Sequence, residues 1–206
     1  MSNLCFDPSG RTNGTVHSSK SMRVTFSPFS STSSRLPLLV TTMWFHSPAG
    51  FIAFFVGGHG AKRWPSERWI DLASRVAADG GRVALFAGPE EAASVPALRS
   101  ALDGRAVVVE PQPLRTFAAV LGAAALVVTP DSGPMHLAVA VGTPVVAVLA
   151  SRGSTFFRPR GAADVALVEP RVDDVYAALR AHPLYESLRA GSSSAADGAA
   201  ARSAAG

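Results

Sequence analysis

Cysteine occurs once, at Cys5, which excludes a disulfide framework and a thiolate-rich metal site and fits a reducing compartment. No block of like charge is present. The net charge of +4 comes almost wholly from arginines interleaved with acids along 206 residues. Without a basic arm, a recognition-helix pattern, an RNA-binding aromatic motif or zinc-ligand spacing, the charge argues against a nucleic-acid partner and leaves small anions as the natural ligands. A long unbroken apolar run is missing as well. Leu36 to Ala61 carries no Asp, Glu, Lys or Arg, yet Pro37, Pro48, Gly50, Gly57 and Gly58 interrupt it. Its densest part, Phe51 to Val56, has only the length of a strand, so no transmembrane segment is expected. The amino terminus also lacks the basic, then apolar, then small-residue order of a secretory signal.

What is present is enough apolar character, 48% of the residues, for one sizeable core. Residues 1–50 are rich in Ser, Thr and Pro without a sustained period and read as a disordered or non-native leader. Residues 183–206, Ala/Ser/Gly-rich, read as a disordered tail. Between them, residues 51–182 alternate short apolar runs with amphipathic segments. The runs are Phe51 to Val56, Arg82 to Ala87, Ala106 to Val109, Ala125 to Val128, Pro144 to Leu149 and Val165 to Val168. Apolar stripes at helical spacing fall in the gaps: Trp69, Leu72, Ala73 and Val76; Val95, Leu98 and Leu102; Leu114, Phe117, Ala118 and Leu121. Strand and helix in alternation predict an α/β fold, a single Rossmann-like doubly wound parallel sheet covered on both faces. Ligands of such sheets sit outside the carboxyl ends of the strands, which directs attention to the loops that follow them.

Three of those loops carry candidate chemistry. The first, Gly57-Gly58-His59-Gly60-Ala61-Lys62-Arg63, combines glycines that let a ligand approach the backbone with Lys62 as a point charge for phosphate. It fits neither the dinucleotide fingerprint nor the phosphate-loop spacing, and His59 reads as a solvated loop residue. The second, Gly88-Pro89-Glu90-Glu91, offers a carboxylate for ribose hydroxyls, although acids in a first helical turn are stabilising without any ligand. The third is Thr129-Pro130-Asp131-Ser132-Gly133-Pro134-Met135-His136, a buried strand running straight into a helix. Asp131 or Ser132 can cap that helix and Pro134 suits its first turn, where the amides and the helix dipole favour phosphate. His136 in the same turn can add a donor or a positive charge; the plain alternative is a well-capped helix that happens to carry a histidine. A Ser-His-Asp triad does not fit, because three members within six residues of one turn cannot line up and G-x-S-x-G is absent.

Taken together, these segments resemble glycosyltransferase family 9, the ADP-heptose:lipopolysaccharide heptosyltransferases. Lys62-Arg63-Trp64-Pro65 with Trp69 is similar to the family's K-x-W-P-x-x-x-W/F element, and Ala87 to Glu91 to its glycine-to-acid turn. Asp131-Ser132-Gly133-Pro134-Met135-His136-Leu137-Ala138, followed by Gly142-Thr143-Pro144-Val145-Val146, is similar to D-[ST]-G-x-x-H-L-A with G-T-P-V-V. Ala150-Ser151-Arg152-Gly153-Ser154 departs from the family's usual G-P-T-D-P, and Arg158-Pro159-Arg160-Gly161 resumes the pattern.

The resemblance implies the carboxyl-terminal half of a GT-B fold, which holds the nucleotide-sugar donor as substrate, with no metal and no cofactor. It implies inverting transfer from an ADP-heptose-type donor to a lipopolysaccharide or related acceptor. Lys62 would contact the diphosphate or sugar, Glu91 the ribose with Glu90 as its rival, and Asp131, Ser132, Gly133 and His136 would surround the diphosphate and sugar. The family's catalytic base lies in an amino-terminal domain of which residues 1–50 contain no trace, so no base is assigned and a truncated form is expected. A separate acceptor-domain chain is one partner this implies, and a donor-binding remnant without activity is the alternative. A nucleotide-sugar epimerase is a third reading, one that would need no acceptor. The family also implies a cytoplasmic place, at the inner membrane face where lipid-linked acceptors lie.

Overall fold

The computed structural model of the chain describes residues 50–189. Six parallel strands make one sheet in the order β3-β2-β1-β4-β5-β6. They are β1 Ile52–Phe55, β2 Val83–Phe86, β3 Val107–Val109, β4 Leu126–Pro130, β5 Val145–Leu149 and β6 Val165–Val168. Each lies within one or two residues of an expected run. β1, β4 and β5 form the middle of the sheet and are apolar almost throughout because neither of their faces meets water.

Alternation along the strands divides the core in two. Ile52, Phe54, Leu126, Val128, Val146 and Val148 point to one face. There they meet Trp69, Leu72, Ala73 and Val76 of α1 (Ser66–Ala78), Val95 and Leu98 of α2 (Val95–Ala101), and Val175 and Leu179 of the helix Val172–Ala181. Ala53, Val127, Val145, Ala147 and Leu149 point to the other face, against Phe117 and Leu121 of α3 (Leu114–Ala123) and Met135 and Ala138 of α4 (Gly133–Ala140). The helix Val172–Ala181 is therefore α5, returned to the first face beside α1. Burying each of the larger side chains contributes roughly 1.5–3 kcal/mol before chain entropy is subtracted.

Local chemistry sets the element ends. α1 stops where Gly80 takes φ +84, with the Gly81 amide bonded to the Val76 carbonyl and the Gly80 amide to that of Ala77, a left-handed turn suited to glycine. The expected stripes of α1 and α2 are buried as anticipated, down to Leu102 just past the end of α2. α3 differs: Phe117 and Leu121 are buried, but Leu114, its first residue, is 71% exposed.

The first residues of the expected tail are ordered. Residues 183–189 are helical, and Tyr185 and Leu188 are buried in the first core. The composition of the far terminus concealed this short amphipathic turn. The expectations for residues 1–49 and 190–206 lie outside the described residues. Among the described residues no helix is long and apolar enough to cross a membrane, and Phe51 to Val56 is built around a buried strand, as expected.

Candidate functional site

The strand order reverses between β1 and β4, so the loops leaving those two neighbours diverge and open a crevice at their carboxyl ends. Lys62 lies in the 3-10 turn Gly60–Lys62 that follows β1, and Asp131 directly follows β4. Across the crevice Lys62 Nζ stands 2.7 Å from Asp131 Oδ2. Asp131 is buried, and apart from this ion pair its Oδ2 has no hydrogen-bond partner. A buried carboxylate oxygen in this condition retains acceptor capacity.

Ser132 occupies the cap position of α4 as the sequence suggested, but it does not cap. Its hydroxyl donates back to the Pro130 carbonyl at 3.2 Å and lies 3.4 Å from Thr129 Oγ1, and no side-chain cap bond is made. Asp131 does not cap either, and Pro134 sits in the first turn as expected. The positive end of α4 is therefore without side-chain neutralisation at its cap. Gly133 begins the helix with open space where a Cβ would be, at a backbone angle that does not require glycine. Neither internal packing nor φ explains glycine there. His136, one turn along, is exposed, its ring edge-on to Phe157 with 6.4 Å between centroids.

Two of the glycines after β1, Gly57 and Gly58, are tightly packed against the protein itself, whereas Gly60 has open space where a Cβ would be. A Cβ at Gly57 would collide with the Phe55 ring, and one at Gly58 would lie 3.2 Å from the Lys62 carbonyl. They make room for the protein itself. Glu91, in the 3-10 turn Pro89–Ser94, is buried with Oε1 2.8 Å from Arg63 Nη2, while a Cβ at Gly88 would fall 2.7 Å from its Oε2. Arg63 Nε also donates to the Gly58 carbonyl at 3.0 Å within its own loop, so the guanidinium that reaches Glu91 after β2 is held from the β1 side. Glu90 is exposed, 3.2 Å from His59 Nδ1 and 3.8 Å from Arg63 Nη2. His59 is a solvated loop residue, as expected.

The model of glycosyltransferase family 9 (heptosyltransferase) matches residues 41–174. The chain belongs to this family. No curated protein matches it. The sheet is similar to E. coli heptosyltransferase WaaC with ADP-2-deoxy-2-fluoro heptose, at 25% identity and a TM-score of 0.53, over 64% of this chain and 41% of that one. E. coli ADP-heptose lps heptosyltransferase II is 23% identical with a TM-score of 0.49, over 78% of this chain and 52% of that one. A family 9 glycosyltransferase from Veillonella parvula is 23% identical with a TM-score of 0.49, over 69% and 43%. The chain thus spans between two fifths and about half of the length of these proteins. Its sheet is the Rossmann-like α/β layer of a GT-B glycosyltransferase.

Family membership places the six candidate residues in context. Lys62, Asp131, Ser132, Gly133 and His136 come together at the divergence of β1 and β4, whereas Glu91 lies one strand over, beneath Arg63. Among the described residues no group of three His, Cys, Asp or Glu side chains could hold a metal ion. Two contributors escaped the sequence reading. Arg63 was read only as part of a motif, and its pairing with Glu91 depends on the β1–β2 adjacency. Phe157, in the 3-10 turn Arg152–Phe157 after β5, lies 5.8 Å by its ring centre from Lys62 Nζ. Two consecutive phenylalanines in a polar loop at a strand's carboxyl end were the available signal.

Proposed function

We propose that this chain is the donor-binding half of a family 9 glycosyltransferase and takes an ADP-heptose-type nucleotide sugar as its ligand. The observation that carries the reading is the Lys62–Asp131 pair beside the cap-free start of α4, in a crevice at the switch point of the sheet. In this arrangement the α4 amides and Lys62 bind the diphosphate, and His136 adds a donor from one turn along. The buried Asp131 carboxylate accepts from sugar hydroxyls once Lys62 turns to phosphate, and the open face of Gly133 admits the ligand. Glu91, or its exposed neighbour Glu90, serves the ribose.

Transfer to a lipopolysaccharide or related acceptor then needs a second domain carrying the base that removes the acceptor's proton. These residues span between two fifths and about half of the length of the related structures, so the transfer is proposed for the enzyme of which they form the donor-binding part. A second reading is a site that binds the nucleotide sugar without transferring it. Calorimetric titration with ADP and ADP-heptose tests the proposal, alongside Lys62→Ala and His136→Ala. Saturable binding weakened by both substitutions supports it. A folded chain that binds neither ligand would leave the site as inherited scaffold.

A further inference from the structure

Phe157 has no role in the reading above, yet two of the candidate residues, Lys62 and His136, meet its ring. Its ring lies 5.8 Å from Lys62 Nζ, within cation–π range, and edge-on to His136, while Lys62 itself reaches Asp131. The ring is half-exposed, and Phe156 stands edge-on to it at 5.1 Å and is exposed. Two phenylalanines facing water are costly for a loop unless something covers them.

The turn that carries them is well anchored. Ser154 is buried, Thr155 Oγ1 donates to the Arg152 carbonyl at 2.8 Å, and Arg152 Nε pairs with Glu169 at 3.3 Å. Phe157 is therefore presented by a built element at the carboxyl end of β5, next to the crevice.

The ligand that suits this wall must be polar on one side and apolar on the other. Beside the ring stand a cation and an imidazole, with a carboxylate paired to the cation, and the ring itself adds an aromatic face. A sugar ring has that character, with hydroxyls around its rim and a C–H face. The nucleoside end lies elsewhere, because Glu90 and Glu91 follow β2 on the far side of β1. We propose that Phe157 is the stacking platform for the transferred sugar, packing its ring against the sugar's C–H face while Asp131 and His136 hold the hydroxyls. This rests on the donor-site reading and assigns the sugar to one side of that site.

The test is titration of the full chain and of Phe157→Ala and Phe157→Trp with two probes, ADP and ADP-heptose. Stacking predicts that Phe157→Ala weakens ADP-heptose by about threefold to tenfold and leaves ADP within about twofold, with Phe157→Trp restoring most of the loss. Equal losses for both probes, or none, would overturn the assignment and leave the nucleotide site standing. Wild-type protein that binds ADP and ADP-heptose equally well would do the same. Wild-type protein that binds neither would remove the donor-site reading together with this one. Thermal melts of both variants verify folding, which a half-exposed ring is not expected to decide.

Discussion

At the residue scale, Gly133 separates ligand-driven from packing-driven sequence. A Cβ there meets nothing within 4 Å and the backbone angle is ordinary, so Gly133→Ala should leave the melting temperature unchanged or slightly raised. The same change should weaken ADP binding severalfold, as read by calorimetry. If binding is untouched, the glycine is not facing the ligand. Arg63 presents the opposite case, since its guanidinium neutralises a buried carboxylate. Arg63→Ala should cost about 1–3 kcal/mol in urea unfolding, because Glu91 is left buried and unpaired. Adding Glu91→Gln should recover part of that loss, since a neutral amide is cheaper to bury. A double variant as unstable as the single one would mean that Arg63 acts through Gly58 alone. The motif Lys62-Arg63-Trp64-Pro65 was legible along the chain, but its division of labour was not: one cation faces the crevice and the next supports a neighbouring loop.

Elements depend on one another through a latch at the opposite end of the sheet from the crevice. Asp79, which ends α1, accepts from Tyr176 Oη of α5 at 2.7 Å and Tyr185 Oη of the last helical turn at 3.1 Å, and its carbonyl accepts from Arg189. The Tyr176 hydroxyl, first, lowers the Asp79 pKa from its ordinary 3.8. Burial raises that of Tyr185 from 10.0, with the Asp79 bond adding to it, and the Asp79 bond raises that of Tyr176. The signs lead to two limbs. Asp79 contributes stability above its unfolded pKa of 3.8 and loses it as pH falls through the lower folded value. The tyrosines contribute fully below 10.0 and lose it as pH rises through their higher folded values. Tyr185→Phe should therefore flatten the alkaline limb of a stability–pH curve and cost about 0.5–1.5 kcal/mol at neutral pH. An unchanged alkaline limb would assign the latch to Tyr176 alone. Ending the chain at residue 182 should be more damaging than either change, since it strips two buried side chains from the first core. Sequence periodicity could not find this last turn, because one helical repeat beside a long Ala/Ser/Gly stretch gives no sustained pattern.

For the whole molecule, the proposed donor site has one readily measured property. ADP at a hundredfold excess over its Kd should raise the unfolding free energy by about 2.7 kcal/mol, and Lys62→Ala should reduce the gain, to about 1.4 kcal/mol for a tenfold weaker site. A melt unmoved by ADP would argue for a remnant. If a second chain completes the enzyme, ADP release from ADP-heptose in the presence of acceptor should require both polypeptides.

The sequence by itself determined the architecture and its contents: six apolar runs set the strands, three helical stripes placed most of the core, and the motifs selected the loops where ligands would meet the chain. Those features are local, and local patterns of burial follow from periods of two and 3.6 that any stretch of chain displays. Only the tertiary structure decided the pairings. That Lys62 meets Asp131, Arg63 meets Glu91, Phe157 leans toward His136 and Asp79 holds Tyr185 depends on which strands lie side by side. The crossover from β3 to β4 carries the chain past β1 and β2 and makes neighbours of loops far apart in sequence, a consequence of packing the whole sheet that no single segment encodes.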